Sequence, residues 1–266
     1  MAILKSPPGA LLSGLELLEI ICNQDQAIGV SELARLANQD KGNVHRTLAV
    51  LASRGFIEQN RDTKKYIASS HVLTLARTLL GKIDIIDIAR PFMKELASVV
   101  NESVHLAQRT INGGVYVAQE RQRGRFTVET EIGASPILHA TATGKALFCY
   151  DNWIDVENFL NLPLEKFTKF TITSATRFEQ ELKAVREQGF ATDNEELNLD
   201  IRCAAAPIFD HSGSVIASIG ISGPSSRIDT ERLNIVGNFV LDAANKITIK
   251  GGGHIPTEAR VHLQTT

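Results

Sequence analysis

Apolar residues at Leu11, Leu12, Leu15, Leu18 and Ile21 recur at helical spacing, with Glu16 and Glu19 on the opposite side, and predict an amphipathic first helix. The pattern breaks at Gln26 to Gly29. Ser31 then stands where an N-cap would open a short second helix carrying Leu33, Ala34, Leu36 and Ala37. Asn38, Gln39 and Asp40 make a tight turn. A third helix follows from near Lys41 to Ser53, with Val44, Leu48 and Leu51 as its buried stripe. After Arg54-Gly55 the segments FIEQN and YIAS read as two short strands joined by the polar turn RDTKK, a β-hairpin. Three helices and a hairpin in this order predict a winged helix-turn-helix.

The next run, HVLTLARTLLGKIDIIDIARPFMKELASVV, keeps the helical period but contains Gly81 and Pro91. It is expected to split into a linker helix and the first helix of a second domain. Further on, SVHLAQ and VYVAQE alternate with period two around Asn112-Gly113-Gly114, a hairpin signal. Strands are expected at Arg125 to Glu129, Ala204 to Phe209 and Val215 to Ile221. Helices are expected at Thr143 to Tyr150, Asp155 to Leu160, Phe178 to Gln188 and Thr230 to Ile247. Helices beside a mostly antiparallel sheet make an α+β sensor-like domain. The expected division is 1–69 for the winged helix, 70–90 for the linker helix, 91–250 for the second domain and 251–266 for a loose, glycine-rich tail.

Charge sharpens the reading of the first domain. The 266 residues carry a net charge of −2, which excludes an indiscriminate polyanion binder. Yet Lys41 to Lys65 holds six Lys or Arg against two acidic residues, a local excess of +4. Lys41, Asn43, His45, Arg46 and Thr47 lie toward the start of the third helix, the end that reaches base edges in the major groove. Arg61, Lys64 and Lys65 on the hairpin suit phosphate contacts. The alternative is a protein-interaction adaptor whose basic face is merely solvated, but helix spacing, turn length, wing and local charge together favour DNA.

Cys22, Cys149 and Cys203 form no CxxC pair, so reduced thiols are expected, without a structural metal. A zinc site from His139, Cys149 and Cys203 has no supporting ligand spacing. The first residues lack the pattern of a secretory leader, and no apolar run reaches bilayer-spanning length; a cytoplasmic protein without membrane association is expected. His139 to Gly144 is a run of small and hydroxylated residues entering a helix, with donors near Ala142, Thr143 and Gly144 placed to hold a carboxylate. Cys203, Ala205, Gly220 and Ser222 are small residues on expected strands, which suit either a ligand cavity or close packing. Lys145 invites a phosphate-loop reading, which fails because His139 stands where a Gly is needed and Ala146 where a Ser or Thr is needed. Asp193, Glu195 and Glu196 read either as paired carboxylates or as a solvated acidic turn. A thiol nucleophile at Cys203 assisted by a histidine is the enzymatic alternative.

Three blocks, GNVHRTLAVLASRGFIE, LHATATGKAL at Leu138 to Leu147 and GFATDNEELNLDIRCAAAPIFDHSGSVIASIGISGP at Gly189 to Pro224, resemble the IclR family of bacterial transcription factors over about Leu11 to Ile247. The resemblance implies a winged-helix DNA-binding domain, a linker helix used in dimerisation and a C-terminal α/β domain related to GAF sensors. It implies a regulator, most simply a repressor of a catabolic operon, with no cofactor. The expected partners are a roughly palindromic DNA operator, further copies of the chain in a homodimer or tetramer, and a small organic-acid effector. Carried over by motif, the effector positions are Ala142, Thr143, Asp193, Ile201, Cys203, Ala205, Gly220 and Ser222.

Overall fold

The computed structural model describes residues 9–257 apart from 25, 73, 75–83, 112, 122–129 and 161. The chain divides into two compact units, Met1–Ile83 and Asp84–Thr266.

The first unit contains α1 (Ala10–Cys22), α2 (Val30–Leu36), α3 (Lys41–Ser53), β1 (Ile57–Gln59) and β2 (Tyr66–Ala68). Its core joins Leu17, Ile21, Leu33, Val44, Leu48, Ile57 and Tyr66. The buried face of α1 is Ser13, Leu17 and Ile21, one helical turn apart. Leu11, Leu12 and Leu15 are 79%, 50% and 52% exposed, so of the apolar stripe expected from the sequence only Leu18 and Ile21 reach this core. The reason is polar. Ser13 Oγ donates to Gln39 Oε1, and Gln39 Nε2 donates to Glu16 Oε2 at 2.8 Å, which rotates that side of α1 onto the turn before α3.

Helix α2 opens at Gly29, whose carbonyl accepts from Glu32 N and Leu33 N. Ser31 therefore lies inside the helix and caps nothing. Asn38 takes a left-handed φ of 50° to end the turn, and Asp40 caps α3 by accepting from Gly42 N at 2.8 Å and Asn43 N at 3.2 Å. In the wing, Asn60 Oδ1 accepts from Asp62 N and Thr63 N. Ile28 exchanges two 2.8 Å backbone hydrogen bonds with Tyr66, adding a bridge where the sequence showed only a break.

The second unit opens with α4 (Ile85–Val100), which runs without interruption through Pro91. The expected boundary at 90/91 is therefore displaced: residues 85–90 belong to α4, and 75–83 of the expected linker lie outside the described residues. Proline removes one N–H from the ladder. Here it sits on the exposed side, while Ile85, Ala89, Met93, Leu96, Ala97 and Val100 remain buried and keep the helix docked.

Five strands follow: β3 (Ser103–Thr110), β4 (Gly113–Glu120), β5 (Ala191–Asn194), β6 (Ile201–Phe209) and β7 (Val215–Pro224). They form one antiparallel sheet in the order β4-β3-β7-β6-β5. Between β4 and β5 come α5 (Ala142–Phe148), α6 (Trp153–Phe159) and α7 (Ala175–Gln188), and α8 (Thr230–Lys250) closes the unit. The strand expected at Arg125 to Glu129 lies outside the described residues. β5 takes in Asp193 at the start of the segment read as an acidic turn, while Glu195 and Glu196 lie in the bend after it.

The two-residue period of the strands sorts side chains between two cores. Val104, Leu106, Ala204, Ala206, Ile208, Ala217, Ile219 and Ile221 pack with α4 and α8. Ala107, Ala191 and Ala205 join the cluster around α5 and α7. The register lines up Asp193, Cys203, Ser222 and Ser103 across four strands, and Ala191, Ala205, Gly220 and His105 in the adjacent row. The polar members of these rows thus gather beneath α5.

The segment from Gly251, expected to be a loose tail, is anchored at residues 253–255. Gly253 N donates to Thr248 O and His254 N to Asp210 O, both at 2.8 Å, and Ile255 is buried. A Cβ on Gly253 would lie 2.1 Å from the Phe209 carbonyl oxygen, so this close approach requires glycine. Residues 258–266 lie outside the described residues.

Replacing Asp40 with Ala removes both cap bonds of α3 and should lower the stability of the first unit by about 1 kcal/mol. A urea titration of the Asp40→Ala protein followed by far-ultraviolet circular dichroism checks this; an unchanged midpoint would show that the cap is dispensable.

Candidate functional site

On α3, Lys41, His45 and Arg46 are exposed, as are Arg61, Lys64 and Lys65 on the wing. Asn43 and Thr47 are only partly exposed. Asn43 Nδ2 is 3.2 Å from Gln39 Oε1 and 3.4 Å from Ser13 Oγ, so its donors serve the junction with α1. Thr47 faces Gly14, where an added Cβ would sit 3.8 Å from Cγ2 of the threonine. The geometry therefore leaves Lys41, His45 and Arg46 as the freely projecting donors of the helix. Lys64 holds a left-handed φ of 57° in the turn closed by Lys64 N to Asn60 O at 2.9 Å, which fixes the wing tip that carries the three cations.

In the second unit a cavity of about 150 Å³ opens beneath the start of α5. Six of the eight carried-over positions line it: Ala142, Thr143, Asp193, Ile201, Cys203 and Ser222. The remaining two do not. Ala205 is fully buried in the cluster under α5, and at Gly220 a Cβ would meet His105 Nε2 at 2.8 Å and Ala204 O at 3.0 Å. Gly220 makes room for a histidine and has no surface of its own in the cavity. Sequence reasoning missed His105, Tyr116, Thr130, Thr141, Leu197 and Asn198, which complete the lining. For His105 a signal existed: it alternates with Val104 and Leu106, so it must face away from their core.

Thr141 caps α5 by accepting from Gly144 N at 2.9 Å and donates to Ile137 O at 2.8 Å. His105 Nε2 is 2.9 Å from Thr143 Oγ1, and its ring meets that of Tyr116 edge to face at 5.4 Å. Burial pushes the imidazole down to about 4 and the Tyr116 phenol up to about 12; both are neutral at pH 7. Asp193 Oδ1 accepts from Glu196 N at 2.7 Å. Burial, reinforced by the nearby Glu196 carboxylate, nevertheless raises Asp193 to about 7. Cys203 Sγ lies 3.2 Å from Ser222 Oγ. Burial, followed by the adjacent Asp193, holds this thiol well above its ordinary value, the opposite of what nucleophilic activation requires.

Lys145 is fully buried and binds no phosphate-like site. Its Nζ donates to Glu196 Oε1 at 2.6 Å, Thr192 O at 2.9 Å and Glu181 Oε1 at 3.0 Å. Asp193 and Glu196 are buried, which overturns the solvated-turn reading for both. His139 and Cys149 are engaged elsewhere, with Glu165 O at 2.9 Å and Ala146 O at 3.3 Å. Among the described residues no group of three or more His, Cys, Asp or Glu is placed to hold a metal, and no helix is long and apolar enough to cross a membrane.

A winged helix-turn-helix followed by an α/β domain with a cavity lined by both polar and apolar side chains defines a DNA-binding regulator with an effector domain. The chain belongs to the IclR family of bacterial transcriptional regulators: residues 10–61 match the IclR helix-turn-helix domain, and residues 77–249 match the bacterial transcriptional regulator IclR C-terminal domain. It is 31% identical over 256 residues to the HTH-type transcriptional regulator KdgR of Escherichia coli, covering 95% of this chain and 97% of KdgR. It is 28% identical over 247 residues to the transcriptional repressor IclR of the same organism, covering 92% and 90% of the two chains. The crystal structure of an IclR-type regulator from Silicibacter superposes with a TM-score of 0.85 at 26% identity, covering 94% of this chain and 98% of that one.

Asp193 gives the second unit a distinctive pH dependence. An unfolded aspartate loses its proton near pH 4, whereas the folded one keeps it to about pH 7. Stability tied to this group is therefore intact below pH 4, falls as the pH rises to about 7, and stays low above that. Asp193→Asn, which keeps the acceptor for Glu196 N, should melt within a degree of the parent at pH 4 and several degrees higher at pH 8. An equal offset at both pH values would show that Asp193 is already ionised in the fold.

Proposed function

We propose that this protein is a cytoplasmic repressor of a catabolic operon, released from its operator when a short organic acid occupies the cavity beneath α5. The observation that carries the effector reading is the cavity itself, where neutral donors surround a buried carboxyl. Thr143 and Ser222 offer hydroxyls, and Asp193, raised to about 7, donates a proton to a ligand carboxylate in its acid form. Relatives such as the E. coli repressor IclR support repression. The suppressed acidity of Cys203 supports a binding role over thiol catalysis.

The DNA-reading elements are Lys41, His45 and Arg46 on α3, with Arg61, Lys64 and Lys65 as phosphate anchors. A homodimer or tetramer on a roughly palindromic operator, with half-sites one or two helical turns apart, matches the symmetry that such a regulator uses. The acid acts only if it binds the DNA-competent and DNA-incompetent states with different affinity.

The double variant Arg46→Ala, Lys64→Ala should bind a fragment from upstream of its own operon at least tenfold more weakly in a mobility shift at 0.15 M salt. The slope of log affinity against log salt should shrink by about one to two charges. Its heat of binding for the acid should match the parent. Unchanged affinity and slope would remove α3 and the wing from the DNA interface and favour the adaptor reading.

A further inference from the structure

His105 is 2% exposed and lines the cavity. One ring nitrogen is satisfied by Thr143. The other, Nδ1, is buried with no hydrogen-bond partner among the described residues. A buried polar atom left unpaired is disfavoured in a finished fold, and this one belongs to a side chain that forms part of a ligand-sized space. The backbone is shaped for it: His105 pairs directly with Gly220 across the sheet, and any side chain at 220 would collide with Nε2. The contact that the family resemblance assigns to position 220 is thus occupied from the neighbouring strand.

We infer that His105 is a ligand-contacting residue and that its free ring nitrogen binds a hydroxyl of the effector, which makes the effector a short hydroxy acid. This rests on the reading of the cavity as an acid-binding site and specifies the ligand class. A neutral imidazole has one donor and one acceptor nitrogen; burial holds His105 in that form, with a pKa of about 4. Whichever tautomer faces Thr143, a hydroxyl satisfies the remaining nitrogen, because it both donates and accepts. An alkyl group satisfies neither. The cavity is small, about 150 Å³, which suits a short-chain acid.

The test is calorimetry of the full-length protein without DNA, using matched pairs: glycolate and acetate, lactate and propionate, 3-hydroxybutyrate and butyrate. At least one hydroxy acid should bind roughly tenfold tighter than its deoxy partner. In His105→Phe, which keeps a flat ring against Tyr116, that ratio should fall to near one while the deoxy acid keeps its affinity within about threefold. Should His105→Phe fail to fold, Gly220→Ala displaces the imidazole and should erase the same preference. Equal binding of every pair by the parent protein, or equal loss of both members in the variants, overturns the role of His105 and leaves the acid site standing. Binding of none of the six acids overturns both.

Discussion

The buried ammonium of Lys145 is the constraint on which the effector domain's working surface depends. A desolvated cation of this kind is stable only when its donors are met, and here three acceptors meet them from three directions: Glu196, the Thr192 carbonyl and Glu181. Lys145 sits on α5 just beyond Ala142 and Thr143. Thr192 precedes Asp193, and Glu196 N holds the Asp193 carboxylate. One side chain thereby fixes the helix that roofs the cavity against the strand and turn that wall it. Thr168 and Thr171 secure the same turn from outside through the Glu195 and Glu196 carbonyls, at 2.7 and 2.6 Å. The cation holds these elements in place while its charge draws the Asp193 pKa down, against the larger effect of burial that raises it.

Much of the fold was legible because it rests on local periodicity. The third helix and wing follow from Val44, Leu48 and the polar turn after FIEQN, and the alternation of SVHLAQ and IASIGIS foretells which side of the sheet each residue faces. What escaped was set by partners distant in sequence. The burial of Glu196, just after β5, was hidden because the cation that pairs with it lies 51 residues away. The inward face of α1 turned on Ser13, whose partner Gln39 is 26 residues away. Pro91 signalled a break, but the apolar seam of α4 outweighs one missing hydrogen bond.

The candidate site was read in the same uneven way. Small residues at 142, 203 and 222 marked a cavity, yet Gly220 and Ala205 showed the other use of small residues, close packing. Asn43 illustrates the matching ambiguity on α3, since its donors are drawn to Gln39 and Ser13. In both units the side chains left free to meet a partner are those that the local hydrogen-bond network does not consume. That criterion, applied to His105, adds a residue that motif comparison alone did not supply.

The two activities are linked thermodynamically: an acid that favours one state of the protein must alter operator affinity by the same factor by which DNA alters affinity for the acid. The most direct test is a fluorescence anisotropy titration of labelled operator DNA with the intact protein, at fixed salt, with and without a saturating short hydroxy acid. The account predicts an operator affinity reduced at least fivefold by the acid, with no such change in an Asp193→Ala protein that no longer binds it. Identical titration curves in the presence and absence of an acid shown to occupy the cavity would contradict it.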